Sequence, residues 1–157
     1  ETSYKYGSDG KLKSSTTVEK DKDGNKVKET VTEYEGDGKT VEKVSETSYK
    51  YGSDGKLKSS TTVEKDKDGN KVKEIVTEYE NGKKVKEIVT ETDSDGSQRI
   101  TEYCPDGKTI KKMISIYKFT KPWEKIVKIY DCNNNGAWKE TTYYKYNSNT
   151  KKWVQSK

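Results

Sequence analysis

A chain of 157 residues has room for one ordinary domain or a short array of small units. Only 27% of it is hydrophobic and 38% is charged, with 32 basic against 27 acidic side chains for a net +5. It has no histidine, and its two cysteines form no CxxC pair, which excludes zinc fingers, histidine triads and histidine general bases.

So polar a composition is shared with disordered chains, which bury too little apolar surface to offset conformational entropy. Proline is nearly absent, however (Pro105 and Pro122), and Thr, Val and Tyr are abundant, as in strands. No apolar run approaches the ~18 residues of a membrane helix, so no membrane span is expected. The opening ETSYKYG carries no signal-peptide core, and any targeting segment is expected to have been removed.

In chain order the sequence reads as strands punctuated by turns. Asp9-Gly10, Asp23-Gly24 and Asp37-Gly38 mark the first three reversals. Between two of them, "KVKETVTEY" (26–34) places Val27 and Val31 on one face and Thr30, Thr32 and Tyr34 on the other. "ETSYKY" (46–51) sets Thr47, Tyr49 and Tyr51 together, and "KLKSSTTVEK" (56–65), beginning after Asp54-Gly55, aligns Leu57, Thr61 and Val63. Asp68-Gly69, Asn81-Gly82, Asp95-Gly96, Asp106-Gly107 and Asn135-Gly136 continue the series, and Lys121-Pro122 and Asn147–Thr150 fill its gaps. Both residues of Asp-Gly and Asn-Gly tolerate the positive φ of tight hairpins. Subtracting the turns leaves about ten residues per strand and roughly a dozen strands.

Residues 1–35 and 46–80 align with one difference, Thr30 against Ile75, as a 45-residue duplication (1–45 and 46–90). Such a period marks an array of stacked units. Over residues 1–107 neither strand face carries enough large apolar groups to pack on a second layer. We therefore expect an all-β, extended antiparallel meander of hairpins, largely a single-layer sheet, with a closed β-barrel as the alternative.

"SYKYGSDGKLKSSTTVE" and "TEYEGDGKTVEKV" resemble the tyrosine-strand, Asp-Gly-turn units of bacterial YD-type (Rhs-like) surface repeats, although Gly rather than Asp follows Tyr6 and Tyr51. The Lys/Glu/Thr strands are also similar to the single-layer sheet of spirochaetal outer-surface lipoproteins. Both resemblances imply a bacterial surface or secreted protein, extracellular and not an enzyme.

Composition changes after residue 107. Residues 1–107 hold 20 basic and 24 acidic side chains, a net of −4; residues 108–157 hold 12 and 3, a net of +9. All three tryptophans lie in the second part. This C-terminal unit either caps the array or forms a binding face. In the binding reading, Tyr117, Trp123, Tyr130, Trp138, Tyr144, Tyr146 and Trp153 stack on sugar rings. Lys125, Lys128, Lys139 and Lys145 then attract an anionic polymer. "GAWKETTYYKYNSNTKKW" (136–153) resembles the aromatic hairpins of choline-binding repeats, without their repeated Gly-Trp phrase. A glycan or another protein is the expected partner. Nucleic acid is not, since the acidic first part interrupts any basic track.

Three other constellations bear on chemistry. Glu19, Asp21, Asp23 and Gly24 match early positions of a calcium loop, but the closing glutamate is replaced by Thr30 and Ile75, so a solvated turn is expected and no metal or cofactor. Interleaved carboxylates read as solvated strand faces, leaving no catalytic residue to nominate. For Cys104 and Cys132 both a disulfide and two free thiols stay open. A flat sheet sets strands n and n+2 about 9.6 Å apart, beyond the ~7 Å reach of a bridge, unless Pro105 or residues 133–135 bend the rim. The expected role is a non-catalytic surface spacer or adhesion module, with a binding module for anionic glycan or wall polymer as the second reading.

Overall fold

The computed structural model describes residues 1–118, 122–134 and 136–156. Lys121 and Asn135, half of two expected turns, lie outside the described residues. The described residues form twelve strands and one 3-10 turn at Cys132–Asn134. Strand order follows the chain without a crossover, in an open antiparallel meander whose first and last strands each have one neighbour. The barrel alternative is not formed.

The chain divides into two compact units, Glu1–Gly82 and Lys83–Lys157. The first holds β1 (Thr2–Tyr6), β2 (Leu12–Lys20), β3 (Lys26–Tyr34), β4 (Val41–Tyr51), β5 (Leu57–Asp66) and β6 (Lys71–Glu80). The second holds β7 (Lys83–Thr92), β8 (Gln98–Tyr103), β9 (Ile110–Tyr117), β10 (Glu124–Asp131), β11 (Ala137–Asn147) and β12 (Lys152–Gln155). The compositional shift at residue 107 falls inside this second unit.

The Asp-Gly turns depart from expectation in an informative way. Only the glycine takes positive φ, as at Gly24 (85°), whereas both residues do so at Asn81-Gly82 (49° and 76°). In the Asp21–Asn25 loop, Gly24 N–H donates to the Asp21 carbonyl and Asp21 N–H to the Asn25 carbonyl. The Asp21 carboxylate accepts from Asp23 N–H, Asn25 N–H and Asn25 Nδ2. Those donors hold the carboxyl below its usual range, with Asn25 the leading cause. This is a type I turn closed by a left-handed glycine, and the acid is its cap.

Among the described residues neither face carries a large interior. Among the described residues Cys104, 3% exposed, is the one buried hydrophobic residue, joined by Thr77, Ser97 and Thr101. Cohesion in the first unit comes from backbone ladders and lateral pairs. Thr2 and Thr17 hydroxyls meet at 3.1 Å, and Thr47 and Thr62 hydroxyls at 2.9 Å. Glu46 in β4 takes Lys28 from β3 at 3.1 Å and Lys65 from β5 at 2.6 Å, linking three strands. Each such pair contributes about 0.2–1 kcal/mol, so the sheet depends on their number.

The duplication has a geometric property that explains the missing core. One 45-residue period advances the chain by three strands, from β1 to β4. Register places Thr17 opposite Thr30, and Thr30 opposite Glu46. The copy of Thr17 is Thr62, opposite Thr47, which is opposite Glu29, which is opposite Val18. Thr17 and Val18 are adjacent and so lie on opposite faces. Equivalent residues of the two copies therefore occupy opposite faces of the sheet. An odd number of strands per period reverses strand direction and face together, so copying this period deposits the same side chains on both sides. A one-sided apolar layer cannot accumulate.

Most two-residue periodicities hold, with Thr61 and Val63 sharing a face as expected. Leu57 does not join them. The register shifts between Lys50 and Tyr51, leaving Lys58 unpaired and bringing Leu57 opposite Tyr51. A single bulged residue is enough to move a side chain to the other face.

Candidate ligand-binding face

In the second unit the register distributes the expected binding residues over two faces. Lys125 lies opposite Tyr144 on one side and Ile116 on the other, and Tyr146 opposite Trp153. Trp123, two residues before Lys125, joins this face. Glu124 lies opposite Tyr117 and Lys145, and Tyr130 opposite Trp138. By alternation Lys128 shares this second face with Tyr130, Tyr117, Trp138 and Lys145. The eleven candidates thus do not form one surface. Trp138 is the member that period alone misplaces. It lies six positions before Tyr144, an even offset, but the register shift between Ile129 and Tyr130 leaves Lys139 in the bulge and turns Trp138 to the far side.

The Lys125 face carries a packed aromatic ladder. Trp123 and Tyr146 stack at 5.2 Å with an interplanar angle of 28°, and Tyr146 meets Trp153 edge-on at 5.3 Å. The Lys125 ammonium sits 4.2 Å from the Tyr144 ring centre and 5.1 Å from that of Trp153. Lys118, which the sequence did not single out, lies 5.5 Å over Trp123. Burial among these rings, with help from nearby Lys112, pushes the Lys125 amine down from its ordinary value. Tyr146 N–H donates to the Trp123 carbonyl at 2.8 Å, which holds the two ring-bearing segments in step. Most of these rings are thus engaged by partners from the chain itself. A shallow groove bounded by Pro122, Trp123, Tyr146 and Ser148 opens beside them.

The opposite face is more open. Trp138 is 65% exposed, its Nε1–H donating to Thr141 Oγ1 at 2.9 Å. Lys128 lines a groove with Arg99, Met113, Ser115, Tyr117 and Ile126. Two other candidate cations are engaged, Lys139 with Asp131 at 3.0 Å and Lys145 with Glu124 at 3.9 Å.

Cys104 and Cys132 are joined by a disulfide with Cα atoms 5.8 Å apart. The flat-sheet separation is shortened because neither cysteine lies in a straight strand. Cys104 opens the loop to Thr109, its N–H donating to the Thr109 carbonyl, and Cys132 begins the 3-10 turn. The rim is bent at both sulfur positions.

Each resolved carboxylate shift runs downward. Lys20, Lys26, Lys65 and Lys139 hold Glu1, Glu29, Glu46 and Asp131 ionised. Turn N–H and hydroxyl groups do so for Asp9, Asp37, Asp54 and Asp106, and Asn70 for Asp66. A general acid needs the opposite tuning. No family model matches the chain, and no curated protein matches it.

Proposed function

We propose that this chain is a non-catalytic spacer or adhesion module of a bacterial cell surface or secreted protein. One observation carries the reading. The three-strand period repeats with the same internal register, so the sheet gains length by duplication without requiring a new core. Support comes from the downward-shifted carboxylates, from a disulfide of the kind that persists in oxidising compartments, and from the likeness of the turn units to bacterial surface repeats. Inserting one further copy of residues 1–45 after Ser45 tests it. The maximum dimension in small-angle scattering should grow by about 14 Å, three strand spacings, with cooperative unfolding retained. An unchanged dimension, or loss of folding, would sink the spacer.

The exposed Trp138 ring beside Tyr130 and Lys128 favours a second reading, the binding of an anionic glycan or wall polymer. Alginate is a suitable probe. Binding should weaken steeply with salt and be lost in Trp138→Ala, whereas binding indifferent to both changes would count against this face.

A further inference from the structure

The groove on the more open face of the second unit lies across β8, β9 and β10, each of which has a neighbour on both sides. Register lays out its walls. Arg99 stands opposite Ser115 and Ser115 opposite Ile126 in one row, and Met113 opposite Lys128 in the next. Arg99 and Lys128 are therefore two strands apart, about 9.6 Å, and offset by one residue pair, with the small Ser115 side chain between them. Together with Tyr117 these residues bound about 310 Å³. That is the lower end of the ~300–1,000 Å³ of ligand clefts, room for a single sugar ring and its substituents.

The two cations of this groove are paired less fully than others in the unit. Lys84, Lys111 and Lys139 have carboxylates at 3.1, 2.7 and 3.0 Å. Lys128 is half-buried in mid-strand with Met113 on one side and Thr141 on the other, so no carboxylate stands opposite it. Arg99 has Glu91 at 3.7 Å, too long for a hydrogen bond, and its side chain is 62% exposed. Among the described residues Glu91 is the one carboxylate within ion-pair distance of either cation, and the Ser115 hydroxyl has no hydrogen-bond partner.

From this arrangement we infer that the groove is an acid-group subsite, and that its ligand is the carboxylate of a hexuronate ring in an anionic glycan. The inference rests on the glycan-binding reading of this face and names the group that it takes. The Arg99 fork donates to both carboxylate oxygens in place of its long contact with Glu91. Lys128 approaches from the other side, the Ser115 hydroxyl donates from the floor, and the sugar ring lies against Tyr117. Two charged donors fix the position of the acid group, while Met113 and Ile126 keep the groove floor apolar around it. Trp138 is not among the residues that line the groove. In a longer glycan it meets a neighbouring sugar, so the subsite and the exposed ring are separable.

The test uses the whole chain and trigalacturonic acid, followed by calorimetric titration and by amide chemical shifts. The expected result is saturable binding with shifts centred on β8, β9 and β10, and none with the methyl ester of the same trisaccharide. Arg99→Gln and Lys128→Gln should each weaken binding roughly tenfold or more. Glu91→Gln frees the Arg99 fork and should tighten it. Ser115→Val fills the floor with a residue that suits a strand, and should abolish binding while leaving urea unfolding unchanged. No binding of the acid, equal binding of the ester, or full affinity in Ser115→Val or in both cation variants would each overturn the subsite. Alginate binding that is lost in Trp138→Ala but intact in Arg99→Gln/Lys128→Gln would leave the glycan reading standing and remove this subsite alone.

Discussion

Asp37 and Asp106 sit at the tips of different hairpins and make the same three contacts. Each carboxylate accepts two backbone N–H groups, from Lys39 and Thr40 or from Lys108 and Thr109, and one threonine hydroxyl. The hydroxyl is the leading cause that draws both acids from 3.8 down to about 2. The unfolded chain takes up these protons near 3.8 and the folded chain only near 2. Their contribution is therefore complete above pH 4 and lost as pH falls toward 2. Thermal midpoints measured from pH 5 to 2 should decline over that window, and less steeply in Asp37→Asn/Asp106→Asn. The positions of these acids were legible from the Asp-Gly spacing. Their role was not, because dipeptide preference cannot separate a residue that adopts positive φ from one that caps its neighbour.

At the level of strands, the Trp123–Tyr146–Trp153 ladder is where β10, β11 and β12 are tied by side chains as well as by backbone. Tyr146 is its middle ring. Tyr146→Ala should cost about 1–2 kcal/mol beyond the loss of ordinary surface packing, measured by urea unfolding with tryptophan emission. Tyr143→Ala, on the other face and 47% exposed, should cost less than about 0.5 kcal/mol. An equal loss in both would mean that the ladder contributes nothing particular. Strand existence and order followed directly from turns at regular intervals. Face assignment followed only where no bulge intervenes, as at Thr47, Tyr49 and Tyr51. It failed at Leu57 and at Trp138, since a bulge is decided by how the loop closes and leaves no mark in a two-residue period.

For the molecule as a whole, the Cys104–Cys132 bond closes a segment of 28 residues around β9 and β10. Chain-entropy reasoning assigns such a closure about 3–4 kcal/mol. All three tryptophans belong to the same unit, so their emission reports on it alone. Dithiothreitol should shift that emission transition to lower urea by a corresponding amount, and no shift would show the bond to be idle. The bond remained undecided at the level of sequence because a flat-sheet distance ignores the bent rim. The absence of a second layer was legible, since it depends on composition rather than on local geometry.

A period of three strands also governs how such a chain can change with time. Any substitution fixed before a duplication is afterwards displayed once toward each side, so a sticky mutation is diluted over two surfaces. Lineages that copy this unit can therefore grow long sheets that remain wettable. A unit of two or four strands would instead stack each new greasy side chain in line with the last.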